Sequence, residues 1–199
     1  MKKTITSVFT LLLFCASVTV SAQLDLPSGS QKASITQRVG TTDITINYSR
    51  PSVRAREIWG KLVPYGLNNL GFGTSKAAPW RAGADENTTI TFEHDVKVEG
   101  QAVSAGTYGF HINVKDDNNA TIILSSDTES WGSYFYEPSN DVLNADITIK
   151  DIPHVETLSF AFDVVTPAST TASLKWEKKA FPFKIEVNVT DVVLSDIRS

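Results

Sequence analysis

The residues able to do chemistry in this chain gather in three short stretches. Residues 49–66 hold Arg50, Arg54, Arg56, Glu57, Trp59 and Tyr65, interleaved with two prolines. Residues 79–87 add Trp80, Arg81 and Glu86, and residues 130–141 add Trp131, Tyr136 and Asp141. A guanidinium is a planar fork that matches carboxylate or phosphate bidentately. Arg50, Arg54, Arg56 and Arg81 are therefore candidate ligand-binding residues for an anion. The competing expectation is that they pair with Glu57, Asp85, Glu86 and Asp141 and merely brace long loops. Exposure separates the two, since a site leaves at least one arginine facing an open cleft.

The aromatic residues of these stretches, Trp59, Tyr65, Trp80, Trp131, Tyr134 and Tyr136, could wall a concave site for a small polar ligand or a glycan. Equally, they could plug the ends of a sandwich with their polar tips bonded to loop carbonyls. Glu57, Glu86 and Asp141 are the candidate catalytic carboxylates, with none committed to that role. Hydrolysis of a glycan would need two of them about 5–10 Å apart. Glu86 with Asp141, or Glu57 with Glu86, is the better pairing, because neighbours such as Asp85 and Glu86 point different ways. His94, His111 and His154 lack the spacing of a metal site, which needs three or four converging ligands. No metal and no cofactor is expected. The reading is a protein that binds a small polar ligand, a glycan or an envelope partner through its Arg/Trp-rich loops, rather than an enzyme. A glycan-directed hydrolase and a purely structural envelope protein are the alternatives.

These loops need a scaffold, and the sequence supplies strands. Residues 42–49 alternate Thr, Ile, Ile and Tyr with polar neighbours, the period-two signature of a half-buried strand. Further strands are expected over residues 88–92, 96–98, 102–103, 107–114, 120–124, 145–149, 157–164, 171–176 and 183–193. Helical turns are expected only near residues 57–63 and 141–143. About eight to ten antiparallel strands point to an all-β sandwich or a jelly-roll-like barrel with long loops. A single domain over residues 34–195 comes after a loose lead at residues 23–33.

Residues 1–22 have the form of an export signal. Lys2 and Lys3 precede a mostly apolar run, and Val20-Ser21-Ala22 favours cleavage before Gln23. The apolar run is shorter than the roughly 20 residues of a membrane-spanning helix. Phe14 before Cys15 argues against lipid attachment. Export to the periplasm or the extracellular space is thus expected, and cleavage would remove the single cysteine. One cysteine excludes a disulfide framework and a thiolate zinc site. The net charge of −4 argues against nucleic acid, whose binders carry a basic patch.

The blocks YSRPSVRAREIWGKLVPYG, WRAGADENTTITF, VKVEGQAVSAGTYGF and WGSYFYEPSNDVL, with the later LKWEKKAFPF, occur in order along the chain. In these blocks the chain resembles the bacterial domain of unknown function 2911 family, over residues 27–185. The resemblance implies an exported all-β domain and assigns it no activity. Two departures stand out. Residues 67–78 form a longer loop than the family pattern, expected to reshape the rim of any cavity. Arg54-Ala55-Arg56 stands where the family has an Arg-Gly-Arg-like segment.

Overall fold

The computed structural model describes residues 26–198, the side chains of Ser195 and Asp196 excepted. The signal segment, its Cys15 and residues 23–25 of the lead lie outside the described residues. In chain order the strands are β1 (Gln31–Val39), β2 (Thr42–Arg50), β3 (Asn68–Asn69), β4 (Ala77–Ala78), β5 (Thr89–Phe92) and β6 (Val96–Val98). They continue as β7 (Gln101–Val103), β8 (Gly106–Val114), β9 (Asn119–Ser125), β10 (Asp141–Thr148), β11 (Lys150–Val165) and β12 (Ser169–Val187), and helix α1 (Val189–Arg198) ends the described chain.

Two antiparallel sheets result. The six-stranded sheet runs β1-β2-β5-β8-β9-β10 and the four-stranded sheet runs β11-β12-β6-β7. They pack together without closing into a barrel, so the sandwich is the architecture. The strands of these two sheets agree with the number read from the alternation, and the small β3–β4 hairpin stands apart from both. Inward positions keep to period two. Ile44 and Ile46, Ile90 and Phe92, and Phe110 and Ile112 are all at most 1% exposed. Their neighbours on the strands point the other way.

Four elements differ from the sequence expectations. Strand β1 begins at Gln31, inside the segment read as a loose lead. It is an edge strand that buries little beyond Val39, so its alternation is faint. Residues 171–176 and 183–187 belong to one strand, not two. Its core residues shift from even (Ala172, Leu174, Trp176) to odd (Phe181, Phe183, Ile185) across Glu177, which has φ 54°. A local irregularity lets both halves face the core where strict alternation would turn one half outward. Residues 189–193 open α1 instead of extending a strand. The Asn188 carboxamide oxygen accepts the Asp191 N–H at 3.2 Å, an N-cap that starts the helix. Residues 141–143 open β10, and the helical turn expected there lies one step earlier, at Pro138–Asn140.

Strands β8 and β9 carry buried residues on their outer face as well. His111 is 2% and Ile123 4% exposed although both alternate with core positions. The segments around Ala78 and residues 130–136 lie over this face: Ala78 and Tyr136 cluster with Ile123, and Ser133 bonds His111. Among the described residues no helix is long and apolar enough to cross a membrane.

Candidate functional site

Where β2 ends, the chain leaves one sheet and crosses to the other. Pro51 has no N–H to continue a ladder, but its carbonyl accepts the Leu158 N–H at 2.9 Å, and the Val53 N–H reaches the Glu156 carbonyl at 2.8 Å. Segment 51–53 is thereby laid along the edge of β11. The next two residues, Arg54 (φ 49°) and Ala55 (φ 55°), both adopt the left-handed conformation, which is strained for residues with a Cβ. A glycine at position 55 would sit there without strain. This turn sends Arg54 and Arg56 to one side, and Ile58 (2% exposed) and Val63 (1%) anchor residues 57–63 in the core.

The second stretch is held just as firmly. Trp80 and Ile112 exchange backbone hydrogen bonds at 2.8 and 3.0 Å, and the Trp80 indole N–H donates to the Gly83 carbonyl at 3.2 Å. Ala82 and Asp85 take positive φ around this tight loop. The third stretch packs on it. The Arg81 guanidinium lies 4.9 Å from the centre of the Tyr134 ring. It also covers Gly132, where a Cβ would collide with it.

Arg54, Arg56 and Arg81 line a single cavity of about 450 Å³. One or two donors of each bond backbone carbonyls. Arg56 Nε donates to Val53 O at 3.1 Å, Arg81 Nη1 donates to Asp85 O, and Arg54 Nη2 reaches Gly29 O at 3.4 Å. Among the described residues, none of these three, nor Arg50, makes a salt bridge. Among the described residues no Asp or Glu lines the cavity. The nearby carboxylate is Glu156, which accepts the Arg54 backbone N–H at 2.9 Å. That bond, then His154, then the Arg54 charge hold its carboxyl below the usual range. Trp176 also lines the cavity, and its indole Nε1 is buried without a hydrogen-bond partner. The lining thus offers cationic and neutral donors, and the carboxylate beside it, Glu156, lies next to Arg54 without forming a salt bridge to it.

The other sequence candidates go elsewhere. Arg50 donates its Nε to Leu158 O at 2.8 Å and is spent on joining the sheets. Trp59 and Trp80 meet edge-on at 5.9 Å, and Trp80 stacks on Trp176 at 5.9 Å, so these indoles plug the sandwich rather than offering open faces to a sugar. Trp131 is 51% exposed outside the cavity lining. Tyr65 borders a gap of about 20 Å³ beside Trp59. Tyr136 is buried and donates its hydroxyl to Asp141 Oδ2 at 2.8 Å; burial first, then that carboxylate, push its hydroxyl pKa up. Of the sequence candidates Trp80 does line the cavity, and Tyr134 and Trp176 join it as aromatic lining.

The three carboxylates share no cavity. Glu86 pairs with Lys32 at 2.7 Å beside β1 and β2, and this contact holds its carboxyl below the usual range. Asp141 serves Tyr136 and Asn144, and Glu57 is exposed on the first stretch. Among the described residues no three His, Asp or Glu side chains gather as a metal site would require. Asn68, Leu70 and Ala78 of the 67–78 loop also line the arginine cavity.

The profile of a family described as a protein of unknown function (DUF2911) matches residues 30–185. No curated protein and no solved structure matches the chain.

Proposed function

The chain belongs to the DUF2911 family, and for this member we propose the role of a binding protein for a small anionic ligand. One observation carries the reading. Three guanidiniums line one cavity with no carboxylate in its walls, in a protein whose net charge is −4. Arginines that only brace loops are commonly paired with acids, whereas among the described residues none of these three makes a salt bridge, Glu86 pairs with Lys32 and Asp141 accepts from Tyr136. Backbone carbonyls orient the guanidinium groups but cancel none of their charge. Positive potential concentrated in a concave, partly apolar wall attracts an oxyanion. A neutral glycan fits less well, because the tryptophan faces are covered by one another.

Thermal unfolding with phosphate, sulfate or citrate, set against glucose at the same ionic strength, tests this. At least one anion should raise the melting temperature by several degrees, and Arg54→Ala/Arg56→Ala should abolish the rise while the strand signal in circular dichroism is kept. Failure of all three anions, or a response that survives in the double variant, would leave these arginines as braces only.

A further inference from the structure

The cavity has an apolar side that a small inorganic anion would leave unused. Leu62 and Leu70 line it while remaining 46% and 38% exposed. Through Tyr134 the apolar surface continues outward from the cavity. Phe72, 63% exposed, packs edge-on against the cavity residue Tyr134 at 5.5 Å and against Phe135 at 6.0 Å. Phe135 itself is 44% exposed. Single exposed apolar side chains need no explanation, whereas a joined strip marks a contact surface. This strip starts inside a cation-lined cavity, and that continuity decides between occupants. A molecule that fills both features carries an anionic group at one end and an apolar stretch behind it.

Building on the anion reading, we infer that the ligand is a single-chain anionic amphiphile. Its carboxylate or phosphate head lies among Arg54, Arg56 and Arg81, and its apolar chain lies along Leu62, Leu70 and Phe72. Each methylene buried on the strip should tighten binding about fourfold.

Calorimetric titration below the micellar concentration tests this with decanoate and decyl phosphate against acetate and inorganic phosphate. Decyltrimethylammonium serves as the charge control, and phosphatidic acid vesicles as the membrane control. Decanoate should bind on the order of 100-fold more tightly than acetate, from a few buried methylenes, and the cationic amphiphile should not bind. Phe72→Ser, outside the cavity lining, should remove much of the chain-length preference and leave phosphate binding unchanged. Equal affinity for long and short anions would overturn the amphiphile and leave the anion reading standing. Binding of the cationic amphiphile, or binding to vesicles alone, would also overturn it. Absence of binding by every anion would overturn the anion reading itself.

Discussion

At the scale of single residues, the fate of a charge depends on what its donors touch. Arg81 satisfies its geometry with the Asp85 carbonyl and the Tyr134 ring, and neither neutralises it. Gly132 makes this possible by giving up a side chain at φ 60°. In Gly132→Ala the new methyl would displace the flexible end of Arg81, and the backbone would be strained by about 1 kcal/mol. The expected result is weaker anion binding, by threefold or more in calorimetry, in a protein that still folds. Unchanged affinity would show that Arg81 does not hold the ligand. His111 presents the opposite case, a titratable group with no room for its charge. It is 2% exposed, bonds Ser133 Oγ through Nδ1 at 3.1 Å and faces the Tyr136 ring. Burial pushes its pKa down to about 4; the Arg81 charge adds to this and the Asp127 charge opposes it. The unfolded chain, near 6.5, takes up the proton first. Stability contributed by neutral His111 is therefore complete above about pH 6.5 and lost as pH falls toward 4. Between pH 7 and 5 the loss is about 2 kcal/mol. Carboxylates held low by partners, such as Asp43 and Glu86, lose their contribution only at lower pH, below their unfolded values. Denaturant midpoints at pH 7 and 5 should thus converge in His111→Gln, and an unaltered difference would reject the assignment.

At the scale of elements, two irregular segments are tied to each other over the outer face of β8 and β9. The Thr74 N–H donates to the Tyr134 carbonyl at 2.9 Å, and Lys76 pairs with Glu137 at 2.7 Å. A Cβ on Gly73, at φ 68°, would run into that same Tyr134 carbonyl. Gly73→Ala should lift the β3–β4 hairpin from its support. Hydrogen exchange would then show the Thr74 amide losing protection while the amides of Ile44 and Phe110 keep theirs. Equal protection of Thr74 in both proteins would deny the hairpin its clamp. Burial also governs how much of these elements is legible in the sequence. Central strands such as β2 and β8 are legible because one face is buried and the alternation is clean. Edge strand β1 is not, since an edge buries too little to impose a period. The continuity of β12 is hidden by the parity change at Glu177, and α1 by the valines 189, 192 and 193, whose β propensity outweighs the short Asn188 cap signal. The arginines of the cavity are legible from their type and from the break in alternation around them. The choice of Tyr134 over Trp131 and Tyr136 is not, because consecutive residues of an irregular loop have no period to tell which one faces the cavity.

At the scale of the whole molecule, charge is distributed against its sum. The protein is acidic at −4, yet one recess gathers three cations without an acid in its walls. Such a field is screened by salt over about 10 Å at 0.1 M. Affinity for phosphate should fall severalfold between about 0.05 and 0.5 M sodium chloride, as calorimetry would show. A salt-independent affinity would mean that the guanidiniums contribute no charge to binding.

The recess is also assembled from far along the chain, from Gly29 at one wall to Trp176 at another. Its walls meet through contacts such as Val53 with Glu156 and Trp80 with Ile112, which join segments remote in sequence. Contacts of that kind form late, because chain entropy must be lost before they return any stability. A nascent or partly refolded chain can hold the β1–β2 or β8–β9 hairpin and still present no recess. Competence to bind is therefore a property of the finished sandwich alone. A ligand held there draws the folding equilibrium toward completion and acts as a reporter of the last step of folding.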